Sequence, residues 1–429
     1  RRYLSMRIWN FKTFTVILAL LLCFGTLGVA FAQEKEPLLV GSIWDQVGFG
    51  GPIGQACYRG SQLAVDLVNK AGGIFGRKVE YINIDGQSEL DVISGAAKRL
   101  AEERKVLAAV GSEDDSLTSA SGPVFQANGT IFLTGPATTP TQPEIGEYIF
   151  MPAYGDHFQG TAAAKFCFEE LGWKKVAILY DSASAYSTYL SKAFSEAFKY
   201  YTNDPSAIVQ AESYMTGDMT FTAQLTRIRG VQDKIDAFVT FPPEPQDAPV
   251  YSKQARSLGI TVPLFLTDGG DDISVVEVGG QAVEGAYIST QFAGDSPTTE
   301  KGKQFVLDYK AKYNKEPGCF VAVGYDSMRL VLESLEVIIG IVGDEAWDSM
   351  SLAQKRTAIR NTLQLWPVFQ TTTVPISYPD PETAIYPRVP NKPVIFKVIK
   401  NGELRYFTHM EPEEFAADLP AILKAMGEI

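Results

Sequence analysis

Two short apolar runs, Val106–Val110 (VLAAV) and Thr130–Thr134 (TIFLT), each end abruptly in a loop of small and hydroxyl-bearing residues, GSEDDSLT and GPATTP. Between them, Leu117–Asn128 has the pattern of a helix that stops at Gly129. Continuous apolar runs of about four to eight residues, bounded by Gly and Pro, indicate parallel strands buried on both faces. In such sheets a ligand sits beyond the carboxyl ends of the strands, where loop hydroxyls and the free N–H groups of helix N-termini converge. The loops Gly111–Thr118 and Gly135–Pro140 are therefore the expected floor of a small-molecule site.

The flanking sequence repeats this unit. Leu38–Ile43 reads as a strand, followed by a helix from about Gln55 that carries Leu63, Ala64, Leu67, Val68 and Ala71 on one face and ends at Gly72-Gly73. Val79–Ile84 is the next strand, and Val92, Ile93, Ala96, Ala97 and Leu100 mark another helix. Alternation of this kind predicts an α/β fold with a doubly wound parallel sheet. It then begins again with a helix at Gly160–Leu171 and strands at Lys174–Tyr180, Ala207–Tyr214 and Asp236–Phe241, with helices at Ser187–Tyr201 and through Phe221, Leu225 and Ile228. AFVTF followed by PPEPQD, and PLFLT followed by DGGDD, echo the first pair of strand-end loops. Two such lobes can face each other across a cleft, each supplying half the contacts.

A strand at Tyr287–Phe292 follows, then helices at Glu300–Tyr313, Phe320–Ile339 (with Gly340 placed to stop it) and Ser351–Leu363. The Pro-rich stretch Trp366–Pro393 reads as an irregular crossing between lobes. Asn401-Gly402, between Val394–Ile399 and Leu404–Phe407, is a hairpin turn.

Residues 1–32 combine Arg7 and Lys12, the apolar stretch Phe14–Leu22 and the Ala30-Phe31-Ala32 box, the pattern of a cleavable secretory signal peptide; Arg1–Ser5 precede its start Met. Setting those residues aside removes Arg1, Arg2, Arg7 and Lys12 and no acid, leaving 34 basic against 50 acidic side chains, a net charge of −16. An exported acidic chain is a poor partner for nucleic acid, and no later stretch is long and apolar enough to span a bilayer. Cys57, Cys167 and Cys319 allow at most one disulfide. With only His157 and His409, neither a zinc centre nor a nucleophile–His triad can be assembled readily.

The loop Gly48–Gly54 nearly matches a dinucleotide fingerprint, but Ile53 stands where the third glycine belongs and Pro52 removes a donor, so it reads as a structural turn. The pairs Asp114-Asp115 and Asp271-Asp272 suit helix capping better than catalysis. Asp115, Thr138, Asp268 and an aromatic such as Tyr186 or Trp44 would serve a small polar ligand that carries an amino group. The alternatives left open are a nucleotide-using enzyme on the same lobes and the ligand-sensing half of a receptor or regulator.

Several stretches together resemble the leucine/isoleucine/valine-binding-protein family of periplasmic solute receptors. They are GSQLAVDLVNKAGGIFGRKVEYINIDGQ, AAVGSEDDSLTSA, LTGPATTP, AAAKFCFEELGWKKVAILYDSASAY, FTAQLTRIR, SKQARSLGI, AVEGAYIST and YKAKYNKEP–GYDS. The resemblance implies the type I periplasmic-binding-protein fold: lobe 1 from 37–152 and 288–369, and lobe 2 from 153–287 and 370–429. Three crossovers are then expected near Met151–Tyr154, Ala286–Thr290 and Val368–Thr372. It implies a periplasmic, monomeric receptor that uses no cofactor or metal, catalyses nothing, and delivers its solute to the permease subunits of an ABC importer. Where relatives hold a ligand carboxylate with Ser or Thr, this chain has Asp114 and Asp115, followed by Ser116. Pro136, Ala137 and Thr138 form the second loop, and Tyr186 answers the second lobe's tyrosine. Pro242-Pro243-Glu244-Pro245 replaces a tyrosine-bearing loop, and Asp268 aligns with the acid that meets a ligand ammonium. An ionised Asp115 would repel a carboxylate and Glu244 adds negative charge, so a neutral or cationic guest is expected rather than a branched aliphatic amino acid.

Overall fold

The structure is a computed structural model that describes residues 35–429; the expected signal peptide, 1–32, lies outside them. The first sheet contains β1 (Leu38–Ile43), β2 (Val79–Asn83), β3 (Ala108–Gly111), β4 (Ile131–Leu133) and β5 (Ile149–Phe150) in the order β2-β1-β3-β4-β5, all parallel. Its helices include α1 (Gly51–Lys70), α2 (Leu90–Lys98) and α3 (Asp115–Ala127).

The second sheet holds β6 (Val176–Asp181), β7 (Ile208–Tyr214), β8 (Ala237–Phe241), β9 (Leu264–Leu266), β10 (Tyr287–Thr290), β11 (Val394–Lys400) and β12 (Glu403–Met410), in the order β12-β11-β10-β9-β8-β6-β7. Only the β10–β11 and β11–β12 pairings are antiparallel. Helices α4 (Asp156–Glu169), α5 (Ala185–Thr202), α6 (Thr222–Arg229), α7 (Asp247–Ser257) and α8 (Ile273–Gly279) belong to this lobe. The strands AAVG and AFVTF are buried at every residue, as strands covered by helices on both faces must be.

The chain then returns to the first lobe. Helices α9 (Glu300–Tyr313), α10 (Cys319–Val342), α11 (Asp344–Ser349) and α12 (Leu352–Leu365) join its core, which contains Phe305, Tyr325, Leu335, Trp347 and Ile359 together with Leu38 and Ala108. A last helix, α13 (Leu419–Met426), packs in the second lobe with Leu190 and Phe194. The long helix does not stop at Gly340. It runs three residues farther, to Gly343, whose φ of 79° supplies the left-handed end. Helices α1 and α10 touch backbone to backbone: a Cβ on Gly60 would fall 2.0 Å from the Val321 carbonyl, and one on Gly324 2.2 Å from that of Cys57.

The passages between cores fall where side chains change cluster. Phe150 lies in the first core and Met151 in the second. The expected crossings near Ala286–Thr290 and Val368–Thr372 differ from what is observed. Tyr287–Thr290 is β10, paired within the second sheet, and Phe292 is the first residue back in the first core. Phe369, Ile376 and Tyr378 still belong to the first core, and Tyr386 is in the second; Phe369 and Ile376 bridge each other and fasten that stretch to lobe 1. The divisions at 287/288 and 369/370 therefore cut through packed structure. The passages are also hydrogen-bonded together. The Tyr378 hydroxyl donates to the Met151 carbonyl (2.9 Å), Arg388 to Ile149 (3.1 Å) and Pro143 (2.7 Å), Lys392 to Pro152 (3.4 Å), and Thr373 to Gln291 (3.0 Å).

Candidate functional site

The carboxyl ends of β3, β4, β8 and β9 meet in one cavity of about 330 Å³, counting its open mouth, whose enclosed part is narrow. Asp114, Asp115, Pro136, Ala137 and Thr138 line it from the first lobe, and Tyr186 and Asp268 from the second. These are expected site residues from both halves, brought together as strand-end loops of opposed sheets would bring them.

Each has a distinct local role. Asp114 is the N-cap of α3, its carboxylate accepting from the Ser116 N–H at 2.8 Å and from the Ser116 hydroxyl. That turns Ser116 to the exposed surface and out of the lining. Asp115 is 1 % exposed and ties the two loops together: it accepts from the Thr139 N–H (3.2 Å), the Thr139 hydroxyl (2.7 Å) and the Gln142 amide (3.0 Å). Burial, helped by the charge of Asp114, pushes its carboxyl up to about 7. Asp268 accepts from the Tyr186 hydroxyl (2.6 Å) and the Gln159 amide (2.8 Å), and burial also raises it. The tyrosine and the acid thus form one rigid unit.

Trp44 lies outside the cavity lining. It is fully buried, its indole N–H donates to Ser61 (3.0 Å), and its ring lies under Gly135, where a Cβ would come within 2.4 Å of it. Glu244 is buried beside the cavity, but its neighbour Pro243 supplies the lining. Of the acid pairs, Asp272 caps α8 through the Ser274 N–H (2.8 Å), while Asp271 accepts from Lys397 at 2.8 and 2.9 Å. The Gly48–Gly54 loop is closely packed: a Cβ on Gly54 would fall 2.3 Å from the Asp45 carbonyl oxygen. Cys57, Cys167 and Cys319 are free and buried.

The sequence reading missed Ile53, Glu113, Gly269 and Phe320 in the lining. It also missed Asp156 and Tyr154, buried just past the first passage between lobes. Glu113 is the acid of Glu113-Asp114-Asp115 that neither caps a helix nor ties loops. Neither of its oxygens has a donor, and the same holds for Asp156 and for the Thr138 hydroxyl. Among the described residues, no group of three or more His, Cys, Asp and Glu converges to hold a metal ion, and no helix is long and apolar enough to cross a membrane.

Comparison with known proteins places this geometry among relatives. The family model described as periplasmic binding protein matches residues 37–357. A protein named amino acid binding protein, from Pseudomonas aeruginosa, is 27% identical over 297 residues, covering 68% of this chain and 76% of its own. The crystal structure of the leucine binding protein LivK of Thermotoga maritima superposes with a TM-score of 0.75 at 26% identity, covering 88% of this chain and 99% of that one. The branched-chain amino acid transporter substrate binding protein LivJ of Streptococcus pneumoniae, in complex with isoleucine, also gives 0.75 at 26% identity, over 87% and 99%.

Proposed function

Because the chain belongs to the periplasmic binding protein family, we propose that it is the extracytoplasmic receptor of an ABC importer, capturing a small polar solute of amino-acid, amide or amine type between its lobes and releasing it unchanged. The observation that carries this reading is a cavity lined by strand-end loops of both sheets, with Thr138 contributed by one lobe and the Tyr186–Asp268 pair by the other. A guest touching both sides stabilises the closed arrangement over any open one, and that difference is the signal a permease can recognise. The relatives are named for amino-acid binding and transport, which supports the class of cargo and the permease as partner. Residues 1–32 fit this role as the export signal.

The test combines calorimetric titration of a solute panel with small-angle scattering. A solute that binds should reduce the radius of gyration, and Thr138→Val and Tyr186→Phe should each weaken it although they lie in different lobes. Binding without compaction, binding indifferent to both substitutions, or chemical conversion of the solute would refute the reading.

A further inference from the structure

The buried acids of this cleft are notable for what they lack. Glu113, 5 % exposed and part of the cavity lining, has no donor on either oxygen, and Asp156, fully buried at the start of α4, has none either. Glu244 Oε2 and Asp45 Oδ1 are buried and equally unmet. An unpaired carboxylate held away from water is strongly disfavoured unless a cation or donors arrive.

These acids fall into two sets. The charged neighbours of Glu113 are Asp45 and Glu244, and those of Asp156 are Asp115 and Asp268. The leading charged influences on Glu113, Asp156 and Glu244 are all acidic. The buried cations are committed elsewhere, Lys397 to Asp271, Arg77 to Asp344 and Asp348, Arg356 to the carbonyls of Val106, Asn128 and Ala101, and Lys392 to the Pro152 carbonyl with Asp326 as its charged neighbour. His157, next to Asp156, is pushed down to about 3 by burial and stays neutral. Among the described residues no three of the acids converge on one metal-sized point. Ile53, Ala137, Pro243 and Phe320 give the same cavity an apolar wall. A ligand carboxylate would face these acids with the Thr138 hydroxyl as the free side-chain donor of the first lobe's lining, because Asp115 has already taken the Thr139 and Gln142 donors.

Building on the receptor reading above, we propose that the guest is an organic dication without a carboxylate, an aliphatic diamine or amino-guanidine, with one charged end at Glu113, behind which lie Asp45 and Glu244, and the other at Thr138, behind which lies Asp156. Its methylene chain lies against Ile53 and Phe320. Burial holds Glu113 and Asp156 well above the usual carboxylate range; an entering cation would favour their ionised forms.

The experiment is calorimetric titration of the full chain with 1,4-diaminobutane and agmatine, and in parallel with butylamine, L-leucine and benzoate. A dication should bind at least about a hundredfold more tightly than leucine. Butylamine should lose about tenfold or more against the diamine, as should Glu113→Gln and Asp156→Asn, because each removes one charge-assisted contact. Melting curves of both variants establish that they fold, and Glu244→Gln provides a further arm at the Glu113 end. Failure of both dications to bind, tighter binding of leucine or benzoate, or indifference of dication binding to the substitutions would overturn the proposal. Compaction with leucine or benzoate would remove the cationic class alone, whereas no compaction with any solute would remove the receptor reading with it.

Discussion

Replacing Asp115 by asparagine isolates one buried acid whose behaviour follows from its surroundings. Its carboxylate is 1 % exposed, accepts from Thr139 and Gln142, and has Asp114 and Asp156 as charged neighbours. Raising it from its ordinary 3.8 to about 7 corresponds to a resistance to ionisation of about 4 kcal/mol, at ~1.36 kcal/mol per pH unit. The folded protein then holds a proton that the unfolded chain has already lost. The group's contribution to stability is therefore fully present below about pH 4 and disappears as the pH rises through about 7. The substituted amide would not titrate. Its oxygen can still accept from the Thr139 N–H and the Gln142 amide, and its NH₂ can donate to the Thr139 hydroxyl. The stability of D115N relative to the unsubstituted protein should thus rise by about 3–4 kcal/mol between about pH 4.5 and 8. Urea denaturation of both ligand-free proteins across that range measures the difference directly. Parallel stability curves, or a gap that moves the other way, would refute this account of the loop tie.

Two further expectations concern the scaffold. Gly324→Ala would press a methyl to 2.2 Å from the Cys57 carbonyl, so α1 and α10 must separate; a loss of about 3 kcal/mol, at the upper end of overpacking effects, should appear in thermal and chemical melts. Lys397→Met strands the Asp271 carboxylate, which is fully buried, and should cost about 3–5 kcal/mol, with Asp271→Asn in the same chain restoring most of it.

Much of the two-lobed organisation can be read from local pattern. Runs such as AFVTF and VLAAV are buried at every position because helices cover both faces, and Asn401-Gly402 has positive φ at both residues, as the hairpin between β11 and β12 requires. The ends of the crossings are not legible, because apolar spacing marks an element without saying which core receives it. Tyr287–Thr290 reads equally well as a strand of either sheet. The site divides in the same way. Thr138, Tyr186 and Asp268 follow from their places at strand ends. Glu113, Asp114 and Asp115, by contrast, are adjacent acids of similar character. Which of them caps, which cross-links and which faces the cavity depends on where α3 begins and on Thr139 and Gln142 being within reach. Trp44 reads as a site aromatic because nothing local reveals that Gly135 leaves room for its ring above Ser61.

The side chains of Tyr378, Arg388, Lys392 and Thr373 lace the passages between lobes to one another. Passages fastened in this way would flex together, so in the proposed closure the halves would share a single axle and the jaws would meet in the same alignment at every stroke. Cargo preference would then reside in the loop tips and the stroke in the strap, and exchanging residues such as Glu113 or Pro243 would suit another cargo without redesigning how the jaws move.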